Sequence, residues 1–135
     1  MTRQELCSTI AAVLLLAATA AARQSSAPRS SEIAAFMGTW VFTMTNPQGA
    51  QETVKIWDKG GAAAATVQAG RFPPLHVAGM LYDGDMFVLT VTRFENGKPI
   101  RAVISLTRDG ETMKMAQMLE FSETIKRGTG KKQEG

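Results

Sequence analysis

Cysteine is almost absent from this 135-residue chain; the single one, Cys7, stands close to the start. An internal disulfide framework is therefore excluded, and so is a cysteine-based zinc site. Histidine is equally scarce. With His76 alone, beside Pro73, Pro74 and Leu75, a multi-histidine metal centre cannot be built, and a Ser-His-Asp device has one candidate base. No Gly-x-Ser-x-Gly stretch accompanies it, and no glycine-rich phosphate loop leads into a helix. His76 reads as a half-buried strand residue. Asp83-Gly84-Asp85 resembles the start of a calcium loop, but the later ligands do not follow, so it reads as a hairpin turn. Asp109-Gly110-Glu111 reads the same way. No catalytic residue, metal or cofactor is expected, and the chain is read as a non-enzyme.

Long hydrophobic runs are lacking too, with one exception. Residues 10–22 are apolar, end in LAATAAA, and follow a short start carrying Arg3. A charged start, an apolar centre and small residues at its end are the pattern of a secretory signal peptide. The run is too short and alanine-rich for a membrane span, which needs roughly 20 strongly apolar residues. Cleavage is expected after Ala22, with Ala20 as the alternative site; an uncleaved N-terminal anchor is the competing reading. Cys7 precedes the run and so cannot be a lipid-carrying cysteine. The expected plan is a signal peptide over 1–22, a polar linker over 23–31, a β-barrel domain over 32–127 and a flexible basic tail over 128–135. The expected location is the periplasm or the extracellular space, with no stable membrane span after cleavage. The net charge of +3 is small. Much of the excess lies in KRGTGKK, and the aromatics are not interleaved with bases, so no nucleic-acid partner is expected.

What the chain does have is period-two alternation. SEIAAFM, after Ser30 or Ser31 as a cap, predicts a short helix ended by Gly38. From Thr39 onward Trp40, Phe42 and Met44 alternate with Val41, Thr43 and Thr45. Val54 and Ile56 share a face of the next strand, and Ile100, Ala102, Ile104 and Leu106 share a face of a later one. NPQG, DKGG, DGD, ENGK and RDGE are turn signals, with Asn-Gly in ENGK the strongest hairpin signal. Some eight short strands on short connections predict an all-β fold, an eight-stranded antiparallel up-and-down barrel preceded by a short helix. An even strand count lets the last strand pair with the first and removes the edges.

Gly38-Thr39-Trp40 at the start of the first strand, after a short helical turn and before a barrel of this size, resembles the lipocalin and wider calycin pattern. The resemblance implies that the tryptophan closes one barrel end under a basic side chain from the end of the last strand. Gly38, Trp40 and Arg127 are the closure residues it implies here. It also implies binding of a small ligand. Against the pattern, the Thr-Asp-Tyr motif and the group's common disulfide are missing.

Methionine is plentiful, at eight residues. It adapts to varied apolar partners. An inward face of Phe42, Met44, Val54, Ile56, Val88, Ile104, Met113 and Met115 is expected to line an interior for a hydrophobic or amphipathic small molecule. The competing reading is a packed core in an inhibitor-like module that meets a protein partner through RSSEIAAF or a loop such as GRFPP. Large side chains meeting across the barrel favour the module; small ones favour the cavity. Ala62 to Ala65 and Gly79 are the residues that could leave room.

Overall fold

A computed structural model describes residues 27–134. The signal-peptide segment and most of the linker lie outside the described residues. Eight strands form a closed barrel in which each strand pairs with its neighbours in sequence and the last pairs with the first, all antiparallel. They are β1 (Gly38–Thr45), β2 (Gln48–Lys59), β3 (Ala62–Ala69), β4 (Leu75–Asp83), β5 (Met86–Glu95), β6 (Lys98–Asp109), β7 (Thr112–Leu119) and β8 (Ile125–Lys132). The up-and-down order follows from turns too short for any strand to skip its neighbour. At ENGK, Asn96 and Gly97 both take positive φ, 53° and 78°, as the twist-matched two-residue hairpin turn requires.

The expected short helix is a single 3-10 turn, Ala34–Phe36, without a side-chain cap. Ser30 instead donates its hydroxyl to Asp58 of β2. The segment ahead of the turn is drawn into the barrel wall. Ala63 donates to the Pro28 carbonyl at 2.9 Å and Ser30 donates to the Gly61 carbonyl at 3.0 Å, with Arg29 bridged to Ala62. These bonds fall where the barrel is weakest. β3 and β4 are in register only at Thr66–His76 and Val67–Leu75, so the Ala62–Ala65 edge of β3 lacks a strand partner from β4. Residues 28–30 cover part of that seam.

β8 runs to Lys132, five residues beyond the boundary expected at 127, so residues 128–132 are barrel wall and not tail. The glycines of RGTGKK suggested flexibility. In the barrel they make room. A β-carbon at Gly130 would lie 2.6 Å from Phe42 Cε2, and one at Gly128 would lie 2.5 Å from Met44 Sδ. Two large side chains of β1 thus occupy the space that side chains on β8 would need.

The inner face is apolar. Phe42, Val54, Val67, Phe87, Leu89, Val91, Ala102, Ile104, Leu106 and Met113 have no accessible surface. The outer face carries water-facing groups such as Lys55, His76, Lys114 and Lys131. His76 is exposed and not half-buried, because the inward phase of β4 at that point belongs to Leu75 and Val77. Among the described residues no helix is long and apolar enough to cross a membrane.

Candidate functional site

The two ends of the barrel are built differently. One end gathers the first residues of β1, the β2–β3, β4–β5 and β6–β7 turns and the end of β8. Trp40, buried, donates its indole N–H to the Phe36 carbonyl at 2.9 Å, which ties the 3-10 turn to the first strand. Phe36 meets Tyr82 and Phe87 edge-on, with ring centroids 6.0 and 5.6 Å apart. The Arg108 guanidinium lies 4.9 Å from the Trp40 ring centroid and also donates to the Ala35 carbonyl. Lys132 approaches the same ring at 6.0 Å.

Arg127 does not take the closure role. β8 pairs with β1 so that Lys132 stands opposite Trp40 and Gly128 opposite Met44. Arg127 is therefore at the far end, exposed, with its carbonyl accepting from the Thr45 hydroxyl at 3.1 Å. β8 continues five residues past Arg127, and this carries Lys132 to the indole. Gly38 does stand at this closed end, with φ of 116° as the chain turns from Met37 into β1.

The expected ligand-lining set is largely one interior cluster. Phe42, Met44, Val54, Ile56, Ile104, Met113 and Met115 are all buried together. Val88 is the exception: it is half-buried and lies on the opposite face of β5, whose inward residues are Phe87, Leu89 and Val91. MFVLTVTRF is apolar on both parities, so alternation alone did not fix its phase. Side chains with no accessible surface face neither solvent nor a water-sized void. The middle of the barrel is thus solid, filled by its own rings and methionines.

The open end is where the interior becomes accessible and polar. Glu52 of β2, Arg93 of β5 and Gln117 of β7 point into the lumen from three strands that are not neighbours. Arg93 Nε donates to Gln117 Oε1 at 2.7 Å, Arg93 Nη2 donates to Glu52 Oε1, and Gln117 Nε2 donates to Glu52 Oε2 at 3.0 Å. Gln117 is 2% and Glu52 7% exposed. This triad floors a bowl of about 330 Å³, walled by Met44, Pro47, Ala50, Ala69, Phe72 and Lys126. A larger depression of about 500 Å³ lies along β6, β7 and β8, between Val103, Met118 and Ile125. Those side chains belong to the outward face, with apolar surroundings, whereas the bowl brings buried polar groups together under apolar walls, the usual form of a small-molecule site.

Comparisons with protein-family models, with curated proteins and with solved structures find no match to this chain. The closed eight-stranded antiparallel barrel is the architecture that the lipocalin resemblance implies.

The triad and Arg108 escaped the sequence reading, though phase pointed to them. Glu52 extends the Val54–Ile56 face, Gln117 extends the Met113–Met115 face, and Arg108 extends the Ile104–Leu106 face, each by one step of two.

Proposed function

We propose that this barrel is an exported binding protein, of lipocalin-like build, that takes an amphipathic anion of modest size at its open end. Support for export is the signal-like pattern of residues 1–22. The observation that carries the ligand reading is the triad beneath the bowl. Its internal bonds use both Glu52 oxygens, the Gln117 carbonyl oxygen and one amide hydrogen, and two of the three Arg93 nitrogens. The third Arg93 nitrogen and the Lys126 ammonium remain as donors around the bowl. With Arg93 and Lys126 positive and Glu52 negative, the floor has one net positive charge. An incoming carboxylate would find donors and opposite charge there, while its apolar body lay against Met44, Ala50 and Phe72. The bowl is near the lower limit of about 300 to 1,000 Å³ for ligand sites, which fits a medium-length chain or a small ring system. The solid core beneath it supports the site and does not contain the ligand.

Calorimetric titration with decanoate, decanol and decylamine tests this reading. Saturable binding of decanoate, weaker binding of decanol and none of decylamine is expected, with Lys126→Glu abolishing the preference and Ala50→Trp blocking the bowl. Equal heats for all three, or decanoate binding untouched by Ala50→Trp, would refute it. A second reading, a protein-interaction module with no small ligand, draws on the solid interior and expects no saturable titration with any of the three.

A further inference from the structure

Half of the six phenylalanines are in water, and all of these are at the open end. Phe72 is 74%, Phe94 68% and Phe121 96% exposed. Phe72 belongs to the β3–β4 connection, Phe94 to the foot of the β5–β6 hairpin and Phe121 to the β7–β8 connection. Thus three of the four connections at this end carry an exposed ring, and the fourth, between β1 and β2, carries Pro47. Successive connections at one end are separated by two strand spacings, roughly 10 Å along the rim. The rings therefore stand apart around a mouth and do not form one continuous patch.

Phe121 has a second peculiarity. Ser122 donates to the Leu119 carbonyl at 3.1 Å, closing a four-residue turn in which Phe121 holds the third place with φ of 66°. That place normally goes to glycine or asparagine, because a bulky side chain is strained there. A ring that is both strained and almost wholly exposed adds nothing to the packing of the fold.

The excess of positive charge also lies at this end. Around the open rim stand Arg71, Lys98, Arg101, Lys126 and Arg127 against Glu95, Glu120 and Glu123. The closed end has no such excess: Asp58, Asp83, Asp85, Asp109 and Glu111 in or beside its turns are offset by Lys59, Arg108, Lys114, Lys131 and Lys132. Apolar tips spread around a ring and set among bases match a flat, deformable surface that is apolar within and anionic on top. Protein-binding hot spots, by contrast, cluster at the centre of one continuous patch. We infer that the open end docks on an anionic lipid bilayer, with Phe72, Phe94 and Phe121 entering the interfacial layer and the neighbouring bases meeting the headgroups. This inference does not depend on a ligand occupying the bowl. If both hold, the bowl faces the phase into which an amphipathic anion partitions.

The test uses the full chain and vesicles of phosphatidylcholine, alone or mixed with phosphatidylglycerol, some with acyl-brominated lipid. Phe72→Trp and Phe121→Trp variants should be quenched by the brominated chains, while the natural Trp40 and Trp57, in the half of the barrel away from this rim, should not. Partition should be about fivefold or more weaker without phosphatidylglycerol and should fall as salt rises. Each Phe→Ser replacement at 72, 94 and 121 should lower partition roughly tenfold, and the unfolding midpoint should show that the variants remain folded. Three results would overturn the inference. If the indoles introduced by Phe72→Trp and Phe121→Trp stay unquenched in bound protein, attachment runs through the N-terminal apolar run. Equal partition of the triple Ser variant would remove the role of the rings. A concentration-dependent blue shift of the Phe72→Trp variant without lipid would make the rim a protein–protein interface instead.

Discussion

Arg93→Met is the most informative perturbation of this barrel. Arg93 has 17% of its side chain exposed and Glu52 9%, so the ion pair between them is largely out of water. Removing the guanidinium leaves the Glu52 carboxylate with one remaining bond, from Gln117 at 3.0 Å. Breaking a buried pair from one side costs about 3 to 5 kcal/mol, and the position near the mouth, where water can relax into the gap, favours the lower figure of about 3 kcal/mol. Replacing all three members with apolar residues, as in Glu52→Leu, Arg93→Met, Gln117→Leu, removes the orphaned charge together with its partners. That variant should fall within about 1 kcal/mol of the wild type or exceed it, because a fully exchanged buried polar group is often neutral or stabilising. Urea unfolding followed by tryptophan fluorescence measures both, with a common slope confirming that the same surface is exposed. A single Arg93→Met variant as stable as the wild type would show that the three side chains are not a coupled buried network. A triple variant costing the sum of the single changes would show the same.

Arg108→Ala should destabilise by about 2 kcal/mol through loss of the contact over Trp40 and of its bonds to backbone carbonyls, whereas Arg127→Ala should stay within about 0.5 kcal/mol; thermal unfolding that ranks them the other way would undo the assignment of the closing base. Gly130→Ala should cost about 1 to 3 kcal/mol because its methyl would meet the Phe42 ring, and Phe42→Leu in the same chain should recover part of that loss; a purely additive pair in denaturant titrations would mean the two do not meet. Phe121→Gly should stabilise by up to about 1 kcal/mol by relieving the positive φ, and a lower unfolding midpoint would contradict the turn geometry. Amide exchange should be faster along β3 and β4 than along β5 and β6, whose ladder runs unbroken from Met86–Thr107 to Glu95–Lys98; equal protection would deny the seam.

The architecture was legible because turn chemistry and alternation agree along most of the chain. Trp40, Phe42 and Met44 alternate with polar or smaller partners, and ENGK fixes a hairpin by its own backbone preference. What stayed hidden depends on the neighbours of a strand rather than on the strand itself. RGTGKK is a poor strand by propensity, and only the rings of Phe42 and the thioether of Met44 on β1 explain why glycine is needed there. By propensity alone the strand ends at Arg127 and Lys132 is tail, whereas β8 runs to Lys132. β5 is apolar on both faces, so its phase is set by pairing with β4 and β6, and a phase with Val88 inward would turn Arg93 outward. The helix signal in SEIAAFM competed with tertiary bonds: Ser30 is drawn to Asp58 and Gly61, which leaves a single turn. The triad itself was reachable one phase step beyond Val54 and Met115. Charged or amide residues that continue an apolar phase read as solvent-facing unless the barrel's far wall supplies partners.

The open end combines several features that a merely stable barrel would not need. Its floor holds a charge pair where apolar residues would serve stability as well, its rim exposes three rings, and one of those rings sits in a strained turn. The closed end shows the opposite: an indole with its N–H satisfied, a guanidinium bonded on several sides, and aromatic rings in edge contact. Between them lies a solid core of low compressibility. Adaptation to a bound partner therefore falls on the open-end connections, since the unpaired stretch of the β3–β4 seam, Ala62–Ala65, lies at the closed end. Phe72 lies in one of these connections, between β3 and β4, and walls the bowl. A ring at that position couples the mouth to the surface it meets: moving Phe72 into an apolar layer would shift one wall of the bowl while its floor, with Arg93 on the unbroken β5–β6 ladder and bonded to Glu52 and Gln117, stayed in place.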